Sequence, residues 1–170
     1  MHRSLKIVVT GPFNAGKTRF IKAISEIEVV STERKITQRE KGVKAQTTVA
    51  MDYGRATVGE SVLHLYGTPG QTRFDFMWEI LMREMSGYVM LVDSTDHASF
   101  STIGELIDMV NAAHAVPYVI AANKQDVDGA ASPARLRRAL GVGADTLVMP
   151  CIASRKTSVK QVLAQLAEMI

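Results

Sequence analysis

Two periodicities alternate along the chain. Leu5–Thr10 is a short, continuous apolar and β-branched run, the pattern of a strand buried on both faces. Helical spacing follows over Lys17–Ile27. Glu28–Gln46 has no apolar period and reads as a long polar loop, the kind that in compact domains serves function. Thr47–Val58 and Ser61–Tyr66 read as strands joined at Gly59-Glu60, a hairpin signal. A turn over Gly67–Gln71 leads to a helix over Phe76–Ser86, a buried strand over Gly87–Asp93, a helix over His97–Ala113 and a strand over Val116–Ala122. Ser132-Pro133 sets a capping hydroxyl before a proline at the first helical position, and Gly141 stands where a helix stop belongs. Thr146–Ile152 is the last strand. Val159, Val162, Leu163, Leu166, Met169 and Ile170 then fall on one helical face, with Thr157 or Ser158 as cap.

One antiparallel hairpin followed by strands with helical crossovers predicts an α/β fold: a mixed, mostly parallel six-stranded sheet with helices on both faces. In such sheets ligands bind beyond the carboxyl ends of the strands. A length of 170 residues, 46% hydrophobic, suits a single domain spanning 1–170 with a sizeable core.

Charge narrows the function classes. The formal net charge is +3, and the densest basic stretch, Glu33–Lys44, reads as a solvated loop rather than a nucleic-acid stripe. The single Cys151 cannot make a disulfide framework or a cysteine zinc cluster, and His2, His64, His97 and His114 lack ligand spacing. The chain is expected to be cytoplasmic. No apolar run approaches the ~20 residues of a bilayer span. With no myristoylation signal at His2 and no prenylation cysteine at the end, membrane residence is expected only through a partner.

The strongest chemical signal is Gly11-Pro12-Phe13-Asn14-Ala15-Gly16-Lys17-Thr18, which matches G-x-x-x-x-G-K-[ST] between a strand and a helix. Backbone N–H groups there face a concavity at a helix N-terminus, where partial positive charge favours phosphate. Gly11, Asn14, Ala15 and Gly16 line the cradle, Lys17 reaches the β- and γ-phosphates, the Thr18 hydroxyl meets Mg²⁺, and Arg19 adjoins the cradle. Asn123-Lys124-Gln125-Asp126 follows a strand directly and selects the base. A carboxylate at Asp126 can accept from both donors on the guanine edge, a pair that adenine does not offer. Asn123 is expected to bond guanine N7 and brace the loop, and the Lys124 stem to lie along the base.

With these two motifs in this order the chain resembles the Ras-like small GTPases over nearly its whole length. Thr47–Gly54 and Leu65–Phe74 resemble, more narrowly, bacterial GTPases of the conservon and MglA-related kind. The resemblance implies GTP and GDP as ligands with Mg²⁺. It implies that Thr48, with Thr47 as competitor, senses the metal and the γ-phosphate. Gly70 would contact the γ-phosphate, Gln71 would orient the attacking water, and the Ala153 N–H would meet guanine O6. It also implies a Roadblock/LC7-type regulator and a sensor-kinase-associated module. Ser94, Thr95 and Asp96 resemble a structural turn.

Three positions depart from the pattern. Gly67 stands where the family carries the Walker B aspartate, so either Mg²⁺ dependence is weak or a carboxylate comes from elsewhere, Asp52 or Asp93. Pro69 replaces alanine and stiffens the start of the second switch. Phe13 replaces a glycine beside the γ-phosphate, which would obstruct an incoming arginine finger and leave Arg73 as an internal candidate. Phe74, Phe76 and Trp78 cannot all share one helical face, so a partner surface is expected there. The function expected is a GTP-dependent switch with slow hydrolysis. The rivals are a GTP-binding scaffold with negligible hydrolysis and a P-loop ATPase or small-molecule kinase.

Overall fold

The computed structural model describes residues 2–40, 43–68 and 75–170, and within these the side chains of 32–50 and 75–78 are outside the description. Seven strands form one sheet among the described residues: β1 (Arg3–Thr10), β2 (Val30–Glu40), β3 (Val43–Val58), β4 (Ser61–Gly67), β5 (Gly87–Asp93), β6 (Tyr118–Asn123) and β7 (Val148–Pro150). Their order is β2-β3-β4-β1-β5-β6-β7. The β2–β3 and β3–β4 ladders are antiparallel and the remaining pairs are parallel. Five helices connect them: α1 (Lys17–Ile24), α2 (Asp75–Met82), α3 (Phe100–Ala113), α4 (Pro133–Leu140) and α5 (Lys156–Met169).

The sheet carries two apolar layers because its central strands alternate their burial between two faces. On one face Ile7, Val9, Leu63 and Leu65 pack with Phe20 and Ile21 of α1 and Val162 and Leu166 of α5. On the other, Val8, Met90 and Val92 pack with Ile103 and Ile107 of α3 and Leu136 of α4. Each such side chain contributes about 1.5–3 kcal/mol through removal from water.

The expected six strands become seven, and the expected loop Glu28–Gln46 is the correction. Val30–Glu40 is an edge strand paired residue for residue with Val43–Tyr53. Strand pairing is satisfied by backbone N–H and C=O groups, which a polar sequence carries as well as an apolar one. Helix ends also differ. The α1 helix stops at Ile24, three residues short, because Ser25 turns to extended backbone and its hydroxyl bonds the Ile27 carbonyl at 2.7 Å. The α2 helix ends at Met82 rather than Ser86, where the Ser86 N–H instead bonds the Lys6 carbonyl at 2.7 Å. The last helix begins at Lys156, so neither Thr157 nor Ser158 caps it; the Ser158 hydroxyl instead accepts from the Ile152 N–H at 2.9 Å. Around α4 the structure follows expectation, with Ser132 Oγ accepting from the Arg135 N–H and Gly141 in left-handed backbone at its end.

Candidate functional site

The β1 strand runs into α1 through Gly11–Gly16, at the carboxyl edge of the sheet. Both glycines that bound this turn are forced by neighbours. A Cβ on Gly11 would lie 2.3 Å from the Leu91 carbonyl oxygen of β5, and one on Gly16 would lie 2.6 Å from Asn123 Nδ2. Gly16 and Asn14 both have positive φ, which turns successive amides toward the loop's concave side. Phe13 stands out from the loop, 70% exposed, and Arg19 is exposed on the first turn of α1.

Lys17 is folded back onto its own loop. Its ammonium donates to the Gly11 carbonyl at 2.6 Å and the Pro12 carbonyl at 2.9 Å. Burial lowers its pKa from 10.5 to about 8, and the charge of Asp52 pushes the other way. A cation this poorly solvated favours an anionic ligand.

The second loop is tied to the first through one side chain. Asn123, 3% exposed at the end of β6, donates from Nδ2 to the Ala15 carbonyl at 2.8 Å and accepts at Oδ1 from the Ala153 N–H at 2.9 Å. The brace expected of Asn123 is therefore present. The Ala153 amide, which the resemblance assigns to guanine O6, is engaged in it. Lys124 adopts left-handed backbone, φ 65°, and its ammonium pairs with Asp93 Oδ2 at 2.8 Å. Burial by itself would raise the Asp93 carboxyl, but hydrogen bonds from Lys124 and Thr95 outweigh it and hold the pKa below the ordinary carboxylate value. Asp126 is exposed on the loop that follows β6.

Sequence reasoning missed two braces of this loop. Gln125 Nε2 donates to Ser94 Oγ at 3.1 Å and to the Ala131 carbonyl at 2.8 Å, and Asp93 anchors both Lys124 and the Thr95 turn. Asp93 and Asn123 are register partners at the ends of adjacent strands, a relation no linear spacing displays. The turn expected at Ser94–Asp96 is indeed built of such internal bonds.

Thr18 is exposed on the first turn of α1 and donates to Asp52 Oδ2 at 2.5 Å; Asp52 Oδ1 accepts from Ser31 Oγ at 2.8 Å. Hydroxyl and carboxylate oxygens are the hard donors Mg²⁺ takes, with phosphate and water completing the shell rather than an all-protein cage. No group of three or more His, Cys, Asp or Glu side chains that could hold a metal ion occurs among the described residues. Thr48 is not brought to this place. It pairs with Lys35 in the middle of the β2–β3 ladder, four residues from Asp52, roughly 13 Å along the strand. Thr47 lies further still. Gly70, Gln71 and Arg73, with Pro69 and Phe74, fall outside the described residues, as do the side chains of Phe76 and Trp78. No described helix is long and apolar enough to cross a membrane.

Comparison with known proteins follows the same lines. Residues 27–170 match the family model described as "Conserved hypothetical ATP binding protein". That match begins after the Gly11–Thr18 loop. ADP-ribosylation factor-related protein 1 of Rattus norvegicus is 30% identical over 128 residues, 72% of this chain and 60% of that protein. ADP-ribosylation factor-like protein 3 of Caenorhabditis elegans is 30% identical over 144 residues, 82% of this chain and 71% of that protein. The match to the rat protein thus spans less than two thirds of its length. The structure of the Arl6 BBS3 small GTPase from Trypanosoma brucei with bound GppNp superposes with a TM-score of 0.74 at 20% identity, covering 97% of this chain and 96% of that one. These relatives support the Arf/Arl type and give no support to the narrower conservon and MglA-related expectation. By the extent of these matches the chain belongs to the family described as conserved hypothetical ATP-binding proteins and, by its identity to the Arf-like relative, to the small GTPases of the Arf/Arl type.

Proposed function

We propose that this chain is a guanine-nucleotide switch that holds GTP or GDP with Mg²⁺ and hydrolyses GTP slowly. The observation that carries the reading is Asn123, whose single side chain locks the phosphate loop at Ala15 to the base loop at Ala153. A nucleotide lying across that brace places its phosphates at Gly11–Thr18 and its base against Lys124 and Asp126.

The residues divide the work by chemistry. Loop amides and Lys17 take the β- and γ-phosphate charge, and Lys17 exchanges two carbonyl partners for phosphate oxygens. Asp126 accepts from the two donors of the guanine edge. Mg²⁺, when bound, neutralises charge on the β- and γ-phosphates, with Thr18 and, in the GTP state, Thr48 as its protein ligands. Gln71 orients the attacking water, Gly70 contacts the γ-phosphate, and Arg73 is the internal cation for the charge that develops. Unassisted hydrolysis in this class runs on the order of 10⁻⁴ s⁻¹ and rises about 10⁵-fold with an activator.

The position of Thr48 supports a switch rather than a static binder. It lies four residues, roughly 13 Å, along β3 from Asp52, so for it to meet Thr18 the upper β2–β3 ladder must come apart. Contacts to the γ-phosphate and Mg²⁺ are the differential interaction that such a rearrangement needs. The regulator of the Roadblock/LC7 type and the sensor-kinase module are implied by the bacterial resemblance, which the Arf/Arl-type relatives do not support.

Competition of GTP and ATP against a fluorescent guanosine diphosphate tests the base. GTP is expected to win by about 10²–10⁴-fold, and Asp126→Ala to erase most of that margin, since each hydrogen bond to a charged acceptor contributes about 1.5–3 kcal/mol. Equal competition would show that the site does not select guanine, and ATP winning would assign the chain to ATP, in keeping with the description of the matching family. A second reading, a scaffold with negligible hydrolysis, is favoured by Gly67 at the Walker B position. Single-turnover phosphate release no faster than that of Gln71→Ala would select it.

A further inference from the structure

We propose that Asp52 on β3 supplies the cation-anchoring carboxylate of this site, in place of the β4 position where Gly67 has no side chain, a role that rests on the switch reading above. Asp52 and Gly67 are register partners across the antiparallel β3–β4 ladder. Register partners project their side chains from the same face, with Cβ positions about 4.5–5.5 Å apart. A carboxylate carried at 52 therefore keeps the level and the face of one carried at 67, moved over by one strand.

Thr18 identifies that face as the one turned to the phosphate loop. Its hydroxyl donates to Asp52 Oδ2 at 2.5 Å, while Ser31 Oγ at the start of β2 fixes the other oxygen at 2.8 Å. The carboxylate thus touches the very hydroxyl the cation would use, the relation that orients a metal-ligating group and tunes its affinity. Its charge is also felt at Lys17.

Gly67 has its own reason to lack a side chain. A Cβ there would lie 3.1 Å from Ile21 Cδ1 and 3.4 Å from Asp52 Cβ. Ile21 lies fully buried on the inner face of α1, so it has little room to yield. A side chain at 67 would thus crowd the end of Ile21 and lie in contact with Asp52, so the carboxylate at 52 fills the space one at 67 would use. The other candidate, Asp93, is committed elsewhere, with one oxygen on Lys124 at 2.8 Å and the other on the Thr95 amide and hydroxyl at 2.9 and 2.6 Å.

The test measures release of a fluorescent guanosine diphosphate from the purified chain against buffered free Mg²⁺, with the Mg²⁺-induced shift in thermal midpoint as a second readout. Asp52→Asn, which keeps the shape, and Asp52→Ala should each raise the Mg²⁺ concentration for half-maximal retention by about 10–100-fold. Asp108→Asn, on the exposed side of α3, should leave it unchanged. If both Asp52 variants keep the wild-type half-point in both readouts, the assignment is overturned while the switch reading stands. A wild-type chain that retains no guanosine nucleotide overturns both.

Discussion

Replacing Lys17 with methionine should make the nucleotide-free protein more stable while abolishing nucleotide binding. The ammonium is folded onto the Gly11 and Pro12 carbonyls in a poorly solvated position, and its pKa falls from 10.5 to about 8. That drop corresponds to an electrostatic cost of roughly 3 kcal/mol for holding the charge at pH 7. Leaving two carbonyls without their donor returns part of it, about 1 kcal/mol each at most where water cannot replace the lysine. The net gain in Lys17→Met is about 1–3 kcal/mol, or roughly 2–10 °C in thermal midpoint for a chain of this size. The sign with pH follows from the two states. The unfolded lysine holds its proton up to about 10.5 and the folded one up to about 8, so between these values the unfolded chain binds the extra proton and wild-type stability rises with pH. The cost is fully present below pH 8 and disappears toward pH 10.5. Urea unfolding of nucleotide-free wild type and Lys17→Met at pH 7 and pH 10 should therefore show a gap that narrows at the higher pH. A methionine variant less stable than wild type at pH 7, or a gap independent of pH, would refute the reasoning. The same linkage makes nucleotide binding take up a proton above pH 8, so affinity should fall by up to about tenfold per pH unit there.

Asn123→Ala removes a buried amide from both the Ala15 carbonyl and the Ala153 N–H; unfolding should show a loss of about 2–4 kcal/mol, and guanosine affinity should fall with it. Phe13→Gly takes away the exposed ring on the phosphate loop, so turnover supported by an arginine-donating activator should rise while nucleotide affinity is kept; unchanged stimulated turnover would show that the ring obstructs nothing.

The phosphate loop, the base loop and the last four strand–helix units were legible because each is written in contiguous residues. Gly11–Thr18 and Asn123–Asp126 carry fixed spacings, and Ser132-Pro133 with Gly141 punctuates α4 as capping chemistry requires. Val159, Val162, Leu163 and Leu166 announce the buried face of α5 for the same reason. Such features depend on local backbone preference and on a periodicity of apolar positions, and both are properties of a segment.

What only the folded chain decided concerns partners far apart in sequence. Edge strand β2 exists because β3 offers it backbone partners, not because Val30–Glu40 has a period of its own. Gly16 is glycine because Asn123 lies against it, and the Ala153 amide is spent because the same asparagine reaches it. The choice between Asp52 and Asp93 was open in the sequence, since both are lone carboxylates at strand positions. Ladder register settled which stands beside Thr18 and which beside Lys124. Register is set by how whole strands bury their apolar faces against α1 and α5, an energy summed over the core that no short stretch of residues contains.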